Sequence, residues 1–369
     1  MKSNWKRTLP ALALSAACLL GIAGCANSAA APSPTPSAVA ESVPPSSPTP
    51  AAAPQPTENP APRTVTDAVG REVEIPEKLE RLAITCNGGA HQELTILGAS
   101  DRIVAMPSTA KFNQLEVMFP DYANVTDAGS FNDVNIEEML KAKPDFIFVG
   151  QSSKEGNAKL EEAGFATYTM LIGWAEIDTL KQEFLNVGAI LGNEAQAQAL
   201  VDYWDEKIAL VEQAVSQVPE SERKVVYYTG KEITSANSSG WTWPLIETAG
   251  GISALPKEMQ GEVNVEDVLT WNPDVIIVQG NTDISGLLQD ERIQGISAIA
   301  NGEVYQCPIG AFWWDRPSPE SPLAFMWLAK TLYPSYTEHI DLEAETKAFF
   351  SQFYQYELSD EEYQSFFFQ

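Results

Sequence analysis

The chain has 369 residues, with 50 Asp and Glu against 23 Lys and Arg, a formal net charge of −27. So acidic a surface repels phosphate backbones and argues against a nucleic-acid partner. Two histidines, His91 and His339, far apart in sequence, argue against a bare metal-ion site, which needs three or four converging donors.

Residues 1–24 read as a secretory signal: Lys2, Lys6 and Arg7, an apolar run over 9–22, then small residues before Cys25. The run is shorter than the ~20 residues of a membrane span. Leu20-Gly21-Ile22-Ala23-Gly24-Cys25 resembles a bacterial lipoprotein box, which predicts acylation of Cys25 and anchoring by lipid to the outer face of the membrane. Loss of Lys2, Lys6 and Arg7 would take the mature charge to −30. Residues 25–62 are nearly all Ala, Pro, Ser and Thr. They cannot build a core and read as an extended tether.

The body, 63–369, is long enough for two lobes. Residues 63–76 form two short alternating strands around an Asp-to-Gly turn. A buried strand at 81–85 runs into Cys86-Asn87-Gly88-Gly89, and a helix over about 90–97 follows. Strand, turn and helix recur through 102–106, 146–149 and 166–170, the alternation of a parallel sheet covered by helices. From 193 to 218 there is no Gly or Pro, and apolar residues recur at spacings of three and four, predicting one helix of ~38 Å. The pattern restarts with strands at 224–229 and 303–307, and an aromatic helical tail over 319–369 should pack on the second lobe. The predicted organisation is an N-terminal lobe at 63–192, a bridging helix at 193–218 and a C-terminal lobe at 219–369.

Residues 134–149 reappear as 263–278 with eight of sixteen positions identical. Each copy reads as a short helix with acids in its first turn and Leu140 or Leu269 facing inward, stopped by Pro-Asp and followed by a buried strand. The fold class is therefore α/β, two Rossmann-like lobes joined by one long helix, with a ligand cleft between them. Cys86 and Cys307 each end a predicted strand; a disulfide and two separately buried thiols are both compatible with that.

Thr66-Asp67-Ala68-Val69-Gly70-Arg71, the twin segments and Trp314-Asp315-Arg316-Pro317-Ser318-Pro319-Glu320 resemble the substrate-binding lipoproteins of ABC importers for ferric siderophores, haem and cobalamin. The resemblance implies a monomer with small cleft closure, delivering an iron complex or corrinoid to a permease dimer, and no resident cofactor. It also implies that Glu137 and Glu266, the repeated acids, dock on permease arginines. Ligand contacts should come from strand-end loops: Asn87, Gly88, Gly89, His91, Ser108 and Gln151 in the first lobe, and Trp241, Gln279, Trp313, Trp314 and Arg316 in the second. Aromatic faces with an arginine fork suit a flat, partly anionic chelate. The alternative is an oxyanion such as molybdate or tungstate, held by small donors and helix N-termini. No Gly-x-Ser-x-Gly, His-Glu-x-x-His or phosphate-binding Gly-Lys-Ser/Thr supports an enzyme.

Overall fold

The computed structural model describes residues 63–171, 175–235, 240–257, 259 and 263–368. The signal segment, Cys25 and the tether at 25–62 lie outside the described residues. The body opens with an antiparallel hairpin, β1 (Thr64–Thr66) and β2 (Glu72–Glu74). Asp67 Oδ1 fixes its turn by accepting from the backbone of Val69 and Arg71, and Ala68 N donates to Thr169 O at 2.9 Å, docking the hairpin on the first lobe.

The first lobe runs β3 (Leu82–Ile84), α1 (Ala90–Ile96), β4 (Ile103–Ala105), α2 (Asn113–Met118), a small ribbon of β5 (Gly129–Ser130) and β6 (Asp133–Val134), α3 (Ile136–Ala142), β7 (Phe146–Gly150), α4 (Lys154–Glu162) and β8 (Thr167–Met170). Its parallel sheet has the order β4-β3-β7-β8. Helices α5 (Ile177–Leu191) and α6 (Glu194–Val215) follow. The second lobe runs β9 (Val225–Thr229), α7 (Thr242–Thr248), β10 (Ile252–Ser253), α8 (Val265–Trp271), β11 (Val275–Val278), α9 (Ser285–Leu288), α10 (Ser297–Asn301) and β12 (Val304–Gln306). Its parallel sheet, β10-β9-β11-β12, has the same topology as the first.

Strand alternation splits the core. Leu82, Ile84, Phe146 and Phe148, with Val226, Tyr228, Val275 and Ile277, point into one cluster shared by both lobes. Ala83, Ile147 and Val149 in one lobe, and Tyr227, Ile276 and Val278 in the other, face separate outer clusters.

The twin segments match to the level of caps. Asn135 and Asn264 N-cap their helices by accepting from the backbone N–H of Glu138 and Asp267, and Lys143 and Asn272 end them in the left-handed region. Asp145 and Asp274 then hold the backbone N–H at the entrance of the neighbouring strand, at Arg81 and Val225. The inward residues are not the leucines. Met139 and Val268 are buried, and Leu140 and Leu269 are 52% and 41% exposed. In a helix of two turns, adjacent positions lie 100° apart, and here the position before the leucine meets the sheet.

The bridging helix α6 is 22 residues, ~33 Å, shorter than the expected span: it ends at Val215, and Pro219 disfavours helix at Val218. It packs on α5 at Gly188, where a Cβ would sit 2.4 Å from Ala197 Cβ, so only glycine permits that approach. Trp204 fills the junction, with Phe184 and Phe325 at ring distances of 5.5 and 6.1 Å and its Nε1 donating to Pro319 O. The tail, α11 (Ser321–Leu332), α12 (Leu342–Phe349), a π turn at Phe350–Tyr354 and α13 (Asp360–Gln364), touches both lobes. Tyr354 meets Phe119 at 6.4 Å and Glu362 accepts from Gln114, both first-lobe residues, so packing on the second lobe alone was too narrow an expectation. Cys86 and Cys307 are free and buried.

Candidate ligand cleft

The loops at the carboxyl ends of β3 and β12 face each other. Gly89 opens α1 at φ +94°, and a Cβ there would stand 3.0 Å from Pro317 O. Gln92 Nε2 donates to Ala311 O at 2.8 Å, so the lobes touch at the root of the cleft. Beside this contact lies a cavity of about 310 Å³ lined by Asn87, Gly88, Lys111, Phe112, Phe131, Phe312, Trp313, Arg316 and Pro317.

Its chemistry is cationic and aromatic. Arg316 is half-buried, with Nη1 3.0 Å from Asp315 Oδ2; Asp315 is itself buried and accepts from Tyr228 OH. That carboxylate fixes one edge of the guanidinium and leaves further N–H groups for a ligand. Lys111 is exposed and makes no ion pair among the described residues. Trp313, half-buried, stands edge-on to Phe112 at 5.4 Å. Phe131 holds φ +52°, rare for a side chain of that bulk, and donates its N–H to Thr85 O at 2.6 Å. The side-chain oxygens Thr85 Oγ1, Asn87 Oδ1 and Ser153 Oγ, at the ends of β3 and β7, are buried without a partner among the described residues. A ligand or water would satisfy them.

The other expected contacts are elsewhere. Trp314 is fully buried, its Nε1 donating to Glu320 Oε2 at 3.0 Å and its ring packed on Phe366 and Phe367. Trp241 is fully buried between Trp204 and Phe325. His91 is buried beneath the cleft, with Nε2 3.3 Å from Pro107 O; burial pushes its imidazole down to about 4, so it is neutral at physiological pH. Ser108 is exposed and accepts from Ala110 N, Gln151 donates to Leu171 O, and Gln279 pairs its backbone with Thr229; none lines this cavity. Gly89 lines a separate crevice of about 10 Å³ with Glu93, Glu183 and Ser318. Burial raises Glu183 to about 8 and pushes Glu93 well up, Glu183 adding charge repulsion to the latter.

Lys111, Phe112 and Phe131 were not anticipated. The first two follow Ser108 in the loop after β4, and that proximity was the available signal. A larger cavity of about 450 Å³ shares Lys111 but carries Glu361 and Glu362. Those carboxylates make it the poorer site for an anion.

Two like-ordered parallel sheets, a rigid helical joint and a cleft at the strands' carboxyl ends define a two-lobed solute-binding protein. The Periplasmic binding protein family profile matches residues 84–309, and the chain belongs to that family. It is an extracytoplasmic substrate-binding protein of an ABC transporter, a class that binds small ligands and works with a membrane permease. The molybdate-binding protein MolA of Haemophilus influenzae is 27% identical over 325 residues, covering 80% of this chain and 91% of that one. Its structure bound to molybdate superposes with a TM-score of 0.71 at 26% identity, covering 80% of this chain and 99% of the other. A periplasmic solute binding protein from Veillonella parvula superposes at 0.70 with 27% identity, covering 83% and 96%. A cobalamin-binding protein of Halobacterium salinarum is 23% identical over 251 residues, 66% of each chain.

Proposed function

We propose that the chain captures a tetrahedral oxyanion of the molybdate or tungstate class and delivers it to an ABC permease. The observation that carries this reading is the joining of Arg316 and Lys111 to the Asn87–Gly88 turn around one cavity of about 310 Å³. Two cations, with no carboxylate in the cavity's lining, favour an anion. The similarity to MolA, a protein named for molybdate, supports the same choice. A second reading, the iron complex or corrinoid expected from sequence, draws on the aromatic wall of Phe112, Phe131, Phe312 and Trp313.

Isothermal titration separates the two. Molybdate and tungstate bind with 1:1 stoichiometry, and Arg316→Ala weakens them about tenfold or more. Binding of a ferric catecholate or cobalamin, with no heat from either oxyanion, would replace the oxyanion reading with the chelate reading.

We further propose that Cys25 carries the lipid anchor, a reading supported by the motif around it and by similarity to a Bacillus subtilis protein described as a substrate-binding lipoprotein. Glu137 and Glu266 serve as permease contacts; both are exposed, in the first turns of equivalent helices.

A further inference from the structure

The internal repeat offers its own test of what each residue is for. Of the eight identities between 134–149 and 263–278, six are explained by the fold. Asn135 and Asn264 cap helices, and Asp145 and Asp274 hold the neighbouring strand. Pro144 and Pro273 follow the left-handed helix ends; Ile147 and Ile276, Val149 and Val278 are buried in the central strands, and Val134 and Val263 pack under the helices. Two identities have no such account: Glu137 with Glu266, and Leu140 with Leu269. All four residues are exposed, and neither glutamate makes a side-chain hydrogen bond or ion pair among the described residues. At a spacing of three, glutamate and leucine share one helix face.

A leucine left 52% or 41% exposed gains little for folding, yet the buried residue before it differs, Met139 in one copy and Val268 in the other. A helix joining two parallel strands runs antiparallel to them. The first turns of α3 and α8 therefore lie on the side of the sheets where the cleft opens. One partner surface, met twice, fits this arrangement.

We propose that Leu140 and Leu269 form the apolar half of a two-point docking surface for a two-fold-symmetric membrane permease. Each leucine seats in an apolar recess of one permease half, and the neighbouring glutamate meets an arginine or lysine beside that recess. The inference rests on the reading of the chain as a permease's binding protein and adds a contact that charge alone does not supply.

The test measures binding of the full chain, loaded with molybdate, to its ABC permease in nanodiscs. The variants are Leu140→Asn, Leu269→Asn, the double leucine variant, Glu137→Gln with Glu266→Gln, and Leu288→Asn as an exposed leucine outside the repeat. The double leucine variant is expected to weaken permease binding about tenfold or more, with each single intermediate. Its melting temperature and molybdate affinity stay at the wild-type values, and Leu288→Asn binds normally. Wild-type affinity in the double leucine variant while the glutamate variant fails would leave an ionic docking surface and overturn the apolar one. Equal losses from Leu288→Asn, or a loss from one leucine only, would overturn the two-point claim. If the wild-type chain itself does not bind, the permease reading falls and takes the inference with it.

Discussion

At the scale of single residues, the cleft separates groups that line the cavity from groups that hold them in place. Arg316 reaches the cavity because Asp315, itself held by the Tyr228 hydroxyl, grips it from behind, and Trp313 lines the wall because Trp314 turns into the core and is anchored by Glu320. The buried acids set the response to pH. Burial raises Glu183 to about 8 and Glu320 to about 7, although Tyr354 and Trp314 donate to the latter. Glu183 and Glu320 therefore keep protons in the folded chain that the unfolded chain loses above about pH 4.5, and stability falls as pH rises toward 8; His91, neutral when folded, opposes this only below about pH 6.5 and involves a single proton against their two. Thermal unfolding should show a lower melting temperature at pH 8 than at pH 5. Glu183→Gln should flatten the slope and raise the pH 8 value by about 2 °C or more; an unchanged slope would place the proton elsewhere.

At the scale of elements, the two copies of the repeated unit provide a matched experiment. Asn135→Ala and Asn264→Ala each remove a side-chain acceptor from a helix N-terminus and should cost about 1 kcal/mol. The two caps belong to different lobes and share no hydrogen-bond partner, so the costs should add in chemical denaturation. Strong non-additivity would mean the lobes couple through these helices. These elements were readable in the sequence because the alternation of strand, turn and helix is carried by periodic burial, and the repeat betrayed the two-lobe plan. The faces of short helices were not. Two turns give too little periodicity to choose between Met139 and Leu140, and hydrophobicity alone favours the leucine that the fold leaves outside. The run Phe312-Trp313-Trp314 posed the same difficulty, since a loop has no period to say which ring turns inward. Lys111 and Phe131 join the cavity through tertiary packing, and no local pattern announces them.

At the scale of the whole molecule, α6 and the tail hold the lobes together from two sides, through Trp204 with Phe325 and through Tyr354 with Phe119. Such a double brace suits a cleft that changes little on binding and holds the first turns of α3 and α8 at a fixed separation. The account then stands on what fills the cavity beside Arg316. The most direct measurement is a crystal structure of the body grown with tungstate, whose heavy atom is located by anomalous scattering. The account predicts one tungsten site between the Asn87–Gly88 turn and the Arg316 guanidinium, lost in Arg316→Ala. Tungsten absent from that cavity, or bound only outside it, would contradict the account.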